Sequence, residues 1–273
     1  MSYEIDRNPA IEPSLVEMAE TALTSLYEAT KNSKKGTLFH QFPKSLLIIS
    51  GFFIMIEASR IDHAGHSNDP IGHLHDTLQY NELLDFVKNW IDKHDDTQML
   101  SAADHECGGL TLYGYNPLVF KAANASTEAL SAIFSKYAGS DPSSFLKSTI
   151  FPAYGLLDPT VAEINLLISL KGKSSFQNEM GKMLSTRAGV NWSTSGHTAT
   201  DITLFGYGAG SDGKKLKGEM SGNWDNTELP LYIEQSLKLR MSEATKALRK
   251  NGSGWVGKRD VSSESHSSHH SHN

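Results

Sequence analysis

Apolar residues recur at helical spacing in several stretches of the chain, which predicts a set of amphipathic helices. One stretch begins behind Pro13, a residue tolerated in a first helical turn, and it predicts a helix over 13–31. Asp69 followed by Pro70 has the form of an N-cap and a first-turn proline, and the apolar stripe behind them predicts a helix that ends near 95–96. Further helices are predicted over 127–137, 162–170, 174–187 and 233–248.

Shorter apolar runs between these helices predict strands. Residues 52–58 form a mostly apolar run of the kind found in strands buried inside parallel sheets, and weaker runs cover 97–103 and 202–207. A glycine-rich stretch, 206–222, is predicted to be a loop. Because strand, helix and strand alternate with compact connections, the sequence predicts an α/β fold in which helices cover a sheet.

The end of the chain differs in composition from the rest. Residues 251–273 are rich in Ser and His and are predicted to be a disordered tail, so the folded domain is predicted to cover 1–250. The tail histidines could bind zinc, but a flexible tail lacks the supporting contacts that a catalytic site needs.

Charge and cysteine content exclude several classes of protein. The formal net charge is -6 and no dense Lys/Arg cluster is present, so we expect no nucleic-acid partner. The longest apolar run, 46–56, is too short to span a bilayer and is interrupted by Ser50 and Gly51, so no membrane segment is predicted. Cys107 is the only cysteine, which excludes an intrachain disulfide.

Acidic residues and histidines gather at three places where strands are predicted to end or begin. The carboxyl ends of parallel strands face a common crevice, and imidazole and carboxylate groups are zinc ligands when thiolates are absent. Two zinc ions close together can hold both the attacking and the leaving oxygen of a phosphoryl displacement. Each such residue alone is more often a solvated loop residue, so the pattern by itself predicts only a metal-dependent hydrolase. The candidate residues are Glu57, Asp62, His63 and His66; Asp104 and His105; and His197.

Three motifs at these places resemble the core of the alkaline phosphatases, in the style of the fungal vacuolar enzymes. Residues 57–66 read EASRIDHAGH, residues 104–109 read DHECGG, and residues 196–198 read GHT. The resemblance extends from Met1 to about Leu239. It implies an α/β fold with a three-layer, alkaline-phosphatase-like sheet flanked by helices.

The resemblance also implies a set of metal ligands. It assigns one zinc ion to Asp62, His66 and His197, and part of a second zinc site to Asp104 and His105. It further implies that Glu57 helps to hold one magnesium ion and that His63 lies near the bound phosphate. His73 and His75, on the helix after the first motif, are predicted to be surface or core histidines.

The sequence departs from the family pattern in two ways. In the family, a segment with the serine nucleophile, a phosphate-binding arginine, a magnesium-binding threonine and a bridging aspartate precedes the region of resemblance. We therefore expect this chain to be a carboxyl-terminal part, with the amino-terminal part missing. Residues 37–50 intrude between a helix and a strand, and we interpret them as a non-family insertion, such as a translated intron, that packs poorly or adds a strand.

These observations leave three functional hypotheses. The first is zinc- and magnesium-dependent hydrolysis of phosphate monoesters, for which this chain alone is incomplete, and the second is an inactive zinc-binding fragment of the same family. A related metallo-phosphomutase or sulfatase is a weaker third hypothesis, which the glycine contexts at 108–109 and 196–198 oppose. The resemblance implies a homodimer and a vacuolar or secretory location.

Overall fold

A computed structural model of the chain describes residues 1–31 and 51–250. The predicted insertion at 37–50 and the predicted tail at 251–273 lie outside the described residues. Within the described ranges, no helix combines the length and the apolar character needed to cross a bilayer.

The α-helices are α1 Leu15–Thr30, α2 Arg60–His66, α3 Pro70–Ile91, α4 Thr127–Lys136, α5 Pro142–Phe145, α6 Phe151–Tyr154, α7 Val161–Ser169, α8 Ser175–Ala188, α9 Gly210–Met220, α10 Leu229–Ser236 and α11 Met241–Lys250. Short 3-10 helices cover Glu4–Asp6, Pro117–Ala122 and Asn226–Glu228, and a π-helix covers Leu146–Ile150. The strands are β1 Gln98–Ser101, β2 Glu106–Cys107, β3 Leu110–Leu112, β4 Val190–Trp192, β5 His197–Thr198 and β6 Phe205–Gly208.

Helices with capping signals form where the sequence predicts them. The Ser14 hydroxyl accepts a hydrogen bond from the Glu17 backbone N–H, and the Glu17 carboxylate accepts one from the Ser14 backbone N–H. This reciprocal capping box satisfies backbone donors that the first turn of α1 leaves without helical partners. Asp69 caps α3 by accepting from the Ile71 N–H, and Pro70 is the first helical residue. Helices α4, α7 and α8 confirm the predictions over 127–137, 162–170 and 174–187.

The largest apolar core lies among helices α3 to α8 and strand β4. Four of its buried residues lie in a continuous helical stretch, 142–154, that the sequence analysis did not predict. Burial of these side chains is the main favourable contribution to the stability of this part of the fold. Its fully or almost fully buried members include Ile71, Leu130, Phe134, Leu146, Ile150, Phe151, Tyr154, Leu167, Phe176, Met180 and Leu184.

A buried carboxylate joins three helices inside this core. Asp69 accepts hydrogen bonds from the backbone N–H and the hydroxyl of Thr127 at 2.8 and 3.0 Å, from the Tyr154 hydroxyl at 2.8 Å, and from the Ile71 N–H at 3.0 Å. Burial raises the pKa of Asp69, and these four donors act against that rise. The side chain therefore ties the start of α3 to the start of α4 and to α6.

The described strands pair into three antiparallel ladders, β1 with β6, β2 with β5, and β3 with β4. Strand β1 confirms the prediction over 97–103, whereas the strand predicted over 202–207 begins only at Phe205. The predicted strand over 52–58 is wrong. That segment has alternately exposed and half-buried side chains, with Phe53 and Met55 exposed, but it pairs with no strand among the described residues. A strand needs a partner for its backbone groups, and an apolar run does not provide one.

Two further predictions about the second half of the chain are wrong. Helix α9 occupies most of the predicted glycine-rich loop, because Leu216 and Met220, four residues apart, are buried on one face of it. Among the described residues, those up to Gly222 form one compact unit and those from Asn223 to Lys250 belong to another. Within the second unit, the helix predicted over 233–248 is interrupted between α10 and α11 at Lys238, where φ is +51°.

Helix α8 approaches the backbone before α3 so closely that only glycine fits at one position. A Cβ atom added to Gly181 would lie 2.2 Å from the Asn68 carbonyl oxygen and 2.8 Å from the Asn68 carbonyl carbon. Both contacts are to backbone atoms, which cannot move aside without displacing the segment between α2 and α3. Gly218 in α9 offers a contrast, since an added Cβ there meets no atom of the described residues within 4 Å.

We expect Gly181→Ala to lower the free energy of unfolding by more than about 2 kcal/mol, because overpacking against backbone forces the helix away from residue 68. The matched control, Gly218→Ala, should raise it by up to about 1 kcal/mol, because alanine restricts the unfolded chain and favours the helix. Urea unfolding followed by circular dichroism measures both changes. Equal effects of the two substitutions would contradict the packing of α8 described here.

Candidate metal centre

A short helix presents two of the predicted metal ligands on one face. Asp62 and His66 are four residues apart in α2, and the His66 Nε2 atom lies 3.3 Å from Asp62 Oδ2. The sequence analysis expected these residues in a loop behind a strand, and the structure corrects this to a helix. Spacing of four residues brings side chains together on a helix, so the correction makes their proximity a consequence of local structure.

A two-residue ladder brings in the third predicted ligand. Cys107 of β2 is paired with His197 of β5, and beside this pair the Gly108 N–H donates to the Gly196 carbonyl oxygen at 2.9 Å. The β2 strand also lies against α2, because an added Cβ at Gly65 would be only 3.0 Å from Cys107 Cβ and Sγ. The absence of a side chain at residue 65 therefore lets the helix and the ladder meet.

Electron-pair donors converge where the helix and the ladder meet. His197 Nε2 lies 3.4 Å from Asp62 Oδ1 and 3.1 Å from His66 Nε2. Ligands about 2.0 Å from a tetrahedral zinc ion are separated by about 3.3 Å, which is close to these distances. Asp62 Oδ1 is buried and has no hydrogen-bond partner among the described residues, whereas the three side chains are 35–45% exposed. A cation would fit between the three donors, and solvent can reach that position.

Backbone contacts orient the imidazole of His66. Its Nδ1–H donates to the Ser195 carbonyl oxygen at 2.6 Å, so in the neutral ring the lone pair is on Nε2 and points toward Asp62 and His197. The Asn178 side-chain amide donates to the His66 carbonyl oxygen at 2.8 Å. Such supporting contacts fix the tautomer and direction that a metal-binding histidine needs.

Asn68 connects this region to the loop that carries Ser195. Its side-chain amide donates to the Gly65 carbonyl oxygen at 3.0 Å and to the Thr194 carbonyl oxygen at 2.8 Å. Asn68 is buried and has a φ of +50°, a conformation that asparagine tolerates better than most residues. The end of α2 and the segment before β5 are therefore held together by one side chain.

The remaining predicted ligands lie at different distances from this centre. The His105 ring stacks on the His197 ring with centroids 3.4 Å apart, and His105 Nδ1 lies 3.9 Å from Asp62 Oδ1. Asp104 is next to His105, with Oδ2 3.5 Å from Nε2, and its side chain is 85% exposed. Asp104 and His105 thus flank the first three donors. Their assignment to a second zinc ion stays a prediction.

His63 lies beside Arg60, and Glu57 lies at a small cleft. Arg60 Nη1 donates to His63 Nδ1 at 2.9 Å, while Arg60 Nη2 donates to Glu128 at 2.8 Å. Glu57 is exposed on the extended segment before α2, on the wall of a small cleft that Asp76 also lines. Their predicted roles, phosphate proximity for His63 and magnesium binding for Glu57, stay predictions.

Cys107 is the site residue that the sequence analysis missed. One ligand atom from each of Asp62, His66, Cys107 and His197 can be chosen so that all four lie within 4.8 Å of one another. Burial raises the pKa of the Cys107 thiol to about 12, and the nearby Asp62 carboxylate adds to the rise. The available signal was its position within the DHECGG motif, two residues after His105.

Asp76 carries a buried carboxyl group on which the charge of Arg60 acts. Asp76 in α3 is almost fully buried and accepts the Glu4 N–H at 3.1 Å. Burial raises its pKa from 3.8 to about 6, and this rise is opposed by the Glu4 hydrogen bond and by the charge of Arg60. Asp76 therefore changes charge at a higher pH in the folded protein than in the unfolded chain.

Comparisons with known proteins identify the family of this chain. The sequence model of the alkaline phosphatase family matches residues 1–239. An alkaline phosphatase of Schizosaccharomyces pombe is 30% identical over 260 residues, which cover 91% of this chain and 45% of the yeast enzyme. A repressible alkaline phosphatase of Saccharomyces cerevisiae is 31% identical over 267 residues, covering 90% of this chain and 45% of that enzyme. The crystal structure of Thermus thermophilus alkaline phosphatase superposes with a TM-score of 0.69 at 26% identity, covering 88% of this chain and 51% of that one.

The fold and the three motifs define a chain of the alkaline-phosphatase-like α/β class, and this predicted fold class is confirmed. The chain belongs to the alkaline phosphatase family. It spans about half the length of the curated relatives that it matches. The resemblance stated from the motifs is therefore confirmed at the level of the family.

We expect Asp76→Asn to alter the pH dependence of stability. The folded protein binds the Asp76 proton more tightly than the unfolded chain does, so this group lowers the free energy of unfolding progressively as pH rises from 3.8 to about 6. The stability of Asp76→Asn relative to the parent should therefore increase between about pH 4 and about pH 6 and stay constant above that range.

Urea unfolding at several pH values measures the difference, and Asp85→Asn, which alters an exposed carboxylate of the same helix, is the control. A difference between Asp76→Asn and the parent that is the same at all pH values would contradict the raised pKa.

Proposed function

We propose that this chain supplies the zinc-binding part of a phosphomonoester hydrolase. The observation that carries the proposal is the convergence of Asp62, His66 and His197, whose donor atoms lie 3.1 to 3.4 Å apart at the junction of α2 and the β2–β5 ladder. Family membership supports the reaction class, and the buried Asp62 Oδ1, which accepts no hydrogen bond from the described residues, supports a cation at this position.

The donor set suits zinc in hydrolysis. When bound, zinc supplies Lewis-acid polarisation of a phosphoryl oxygen and lowers the pKa of water. His66 and His197 would bind it through neutral Nε2 atoms, and Asp62 would offset part of its charge. The hydrogen bond from His66 to the Ser195 carbonyl oxygen would hold the ring in its ligating tautomer.

We further propose a second zinc site at Asp104 and His105 and a magnesium ion held in part by Glu57. Stacking of His105 on His197 supports the first of these, because it keeps the two donor groups adjacent. His63 would lie near the phosphate of the ester, with Arg60 directing its Nδ1 atom. Under this proposal the substrates are phosphate monoesters, and the serine nucleophile would come from a segment of the kind that precedes this region in the family.

The alternative of an inactive zinc-binding chain follows from the same geometry. The three donors converge whether or not a nucleophile is present, so metal binding and turnover are separate questions. A homodimer and a vacuolar or secretory location are supported by the family resemblance and stay proposals.

We expect the chain to bind zinc, and we expect Asp62→Asn to weaken that binding by more than about 100-fold. A carboxylate that binds the ion directly should contribute more to the affinity than the groups that only support the ligands, whose loss costs about 10 to 100-fold. Isothermal titration calorimetry measures the affinity. Asp85→Asn is the control for charge, and a chain with alanine at the four tail histidines excludes binding by the tail. Unchanged affinity in Asp62→Asn would contradict the proposed centre. The tail positions are His266, His269, His270 and His272.

Any hydrolysis of a chromogenic phosphate ester by this chain, with zinc and magnesium at alkaline pH, should be lost in His197→Ala and kept in Asp85→Asn. The reason is that His197 lies within reach of both other zinc donors. A chromogenic sulfate ester tests the weaker sulfatase hypothesis in the same assay. Zinc binding without turnover by the parent chain would favour the inactive alternative, whereas turnover unaffected by His197→Ala would overturn the assignment.

A further inference from the structure

The thiol of Cys107 is directed into the same centre as the three proposed zinc ligands. Its Sγ atom belongs to the group of four donor atoms that lie within 4.8 Å of one another. A sulfur ligand about 2.3 Å from zinc and a nitrogen ligand about 2.0 Å from it are separated by about 3.5 Å. Separations of up to 4.8 Å exceed this value by at most about 1.3 Å, so small side-chain shifts would complete a tetrahedral set.

The position of Cys107 is fixed from three sides. The β2–β5 ladder pairs it with His197, the contact with Gly65 places it against α2, and its Sγ–H donates to the Asp62 carbonyl oxygen at 3.5 Å. These are the same elements that carry the other three donors. The pairing register of β2 with β5 thus places the thiol in the centre. A shift of that register by one residue would turn the Cys107 side chain to the other face of the ladder.

The chemistry of the four donors is complementary to a particular class of cation. Thiolate and imidazole ligands favour zinc, cadmium and cobalt over magnesium and manganese, whose preferred ligands are oxygen atoms. Sites with four protein ligands from cysteine and histidine are typical of closed zinc centres, whereas catalytic zinc retains a position for water or substrate.

We propose that Cys107 is a fourth protein ligand to the ion held by Asp62, His66 and His197, so that this centre favours thiophilic cations. The proposal rests on the proposed zinc site. On binding, the metal–sulfur bond replaces the S–H bond and the thiol proton is released to solvent. With four protein ligands in place, water or substrate would reach that ion as a fifth ligand or after dissociation of the thiolate.

Titration of the full chain with cobalt(II), followed by absorption spectroscopy, tests the proposal. We expect a thiolate-to-cobalt charge-transfer band that saturates at one equivalent, because this chain contains a single cysteine. Cys107→Ser should still bind cobalt through the other three residues but should lack the band. It should also lose more than about 10-fold in cadmium affinity, because a hydroxyl is a hard ligand. Asp62→Asn and the variant without tail histidines are the controls for the location of the ion.

Thiol reactivity of the unmodified chain provides a second measurement that does not depend on the folding of a variant. One equivalent of zinc should slow the reaction of Cys107 with a disulfide reagent by more than about 10-fold, and an excess of magnesium should not. Cobalt binding by the parent chain without the charge-transfer band would show that Cys107 is not a ligand. Zinc that binds but leaves thiol reactivity unchanged would show the same. In both cases the three-ligand zinc site would stand. Failure of the parent and of Cys107→Ser alike to bind cobalt would overturn both proposals.

Discussion

Complete hydrogen bonding of two adjacent buried polar residues, Asn68 and Asp69, is the constraint on which the rest of the structure depends. Asp69 accepts four hydrogen bonds that join α3, α4 and α6, and Asn68 links the end of α2 to the segment before β5. Buried polar groups are costly when unpaired, so each of these contacts also excludes alternative arrangements of the helices. Gly181 completes the junction, because α8 approaches the Asn68 carbonyl group more closely than a side chain would permit.

The candidate centre is built from elements too short to be stable alone. A helix of 7 residues and a ladder of two-residue strands gain little from their own backbone hydrogen bonds. Their geometry is supplied by the junction, which fixes one end of α2 and, through Thr194, the approach to β5. This explains how a centre that is one-third to one-half exposed can still hold three donor atoms at spacings suitable for a metal ion.

The sequence predicted those features whose causes are local. The Asp69 cap, and the helix that begins at Pro70 behind it, depend on residues within one or two helical turns. The strand predicted over 52–58 failed because pairing requires a distant partner, and the loop predicted over 206–222 failed because burial of Leu216 outweighs the glycine content. The place of Cys107 beside His197 depends on ladder register, which no single-chain pattern in these short segments specifies.

The residue at position 107 determines how much positive charge a bound zinc ion would keep. With Asp62 as the one anionic ligand beside two neutral imidazoles, the centre would carry a net charge of about +1, which is available to polarise a phosphoryl oxygen or acidify water. A thiolate from Cys107 would neutralise that charge and would fill the fourth tetrahedral position. Tight binding and electrostatic catalysis are therefore opposed at this ion, because coordination by that thiol would reduce the positive charge that a hydrolase could use.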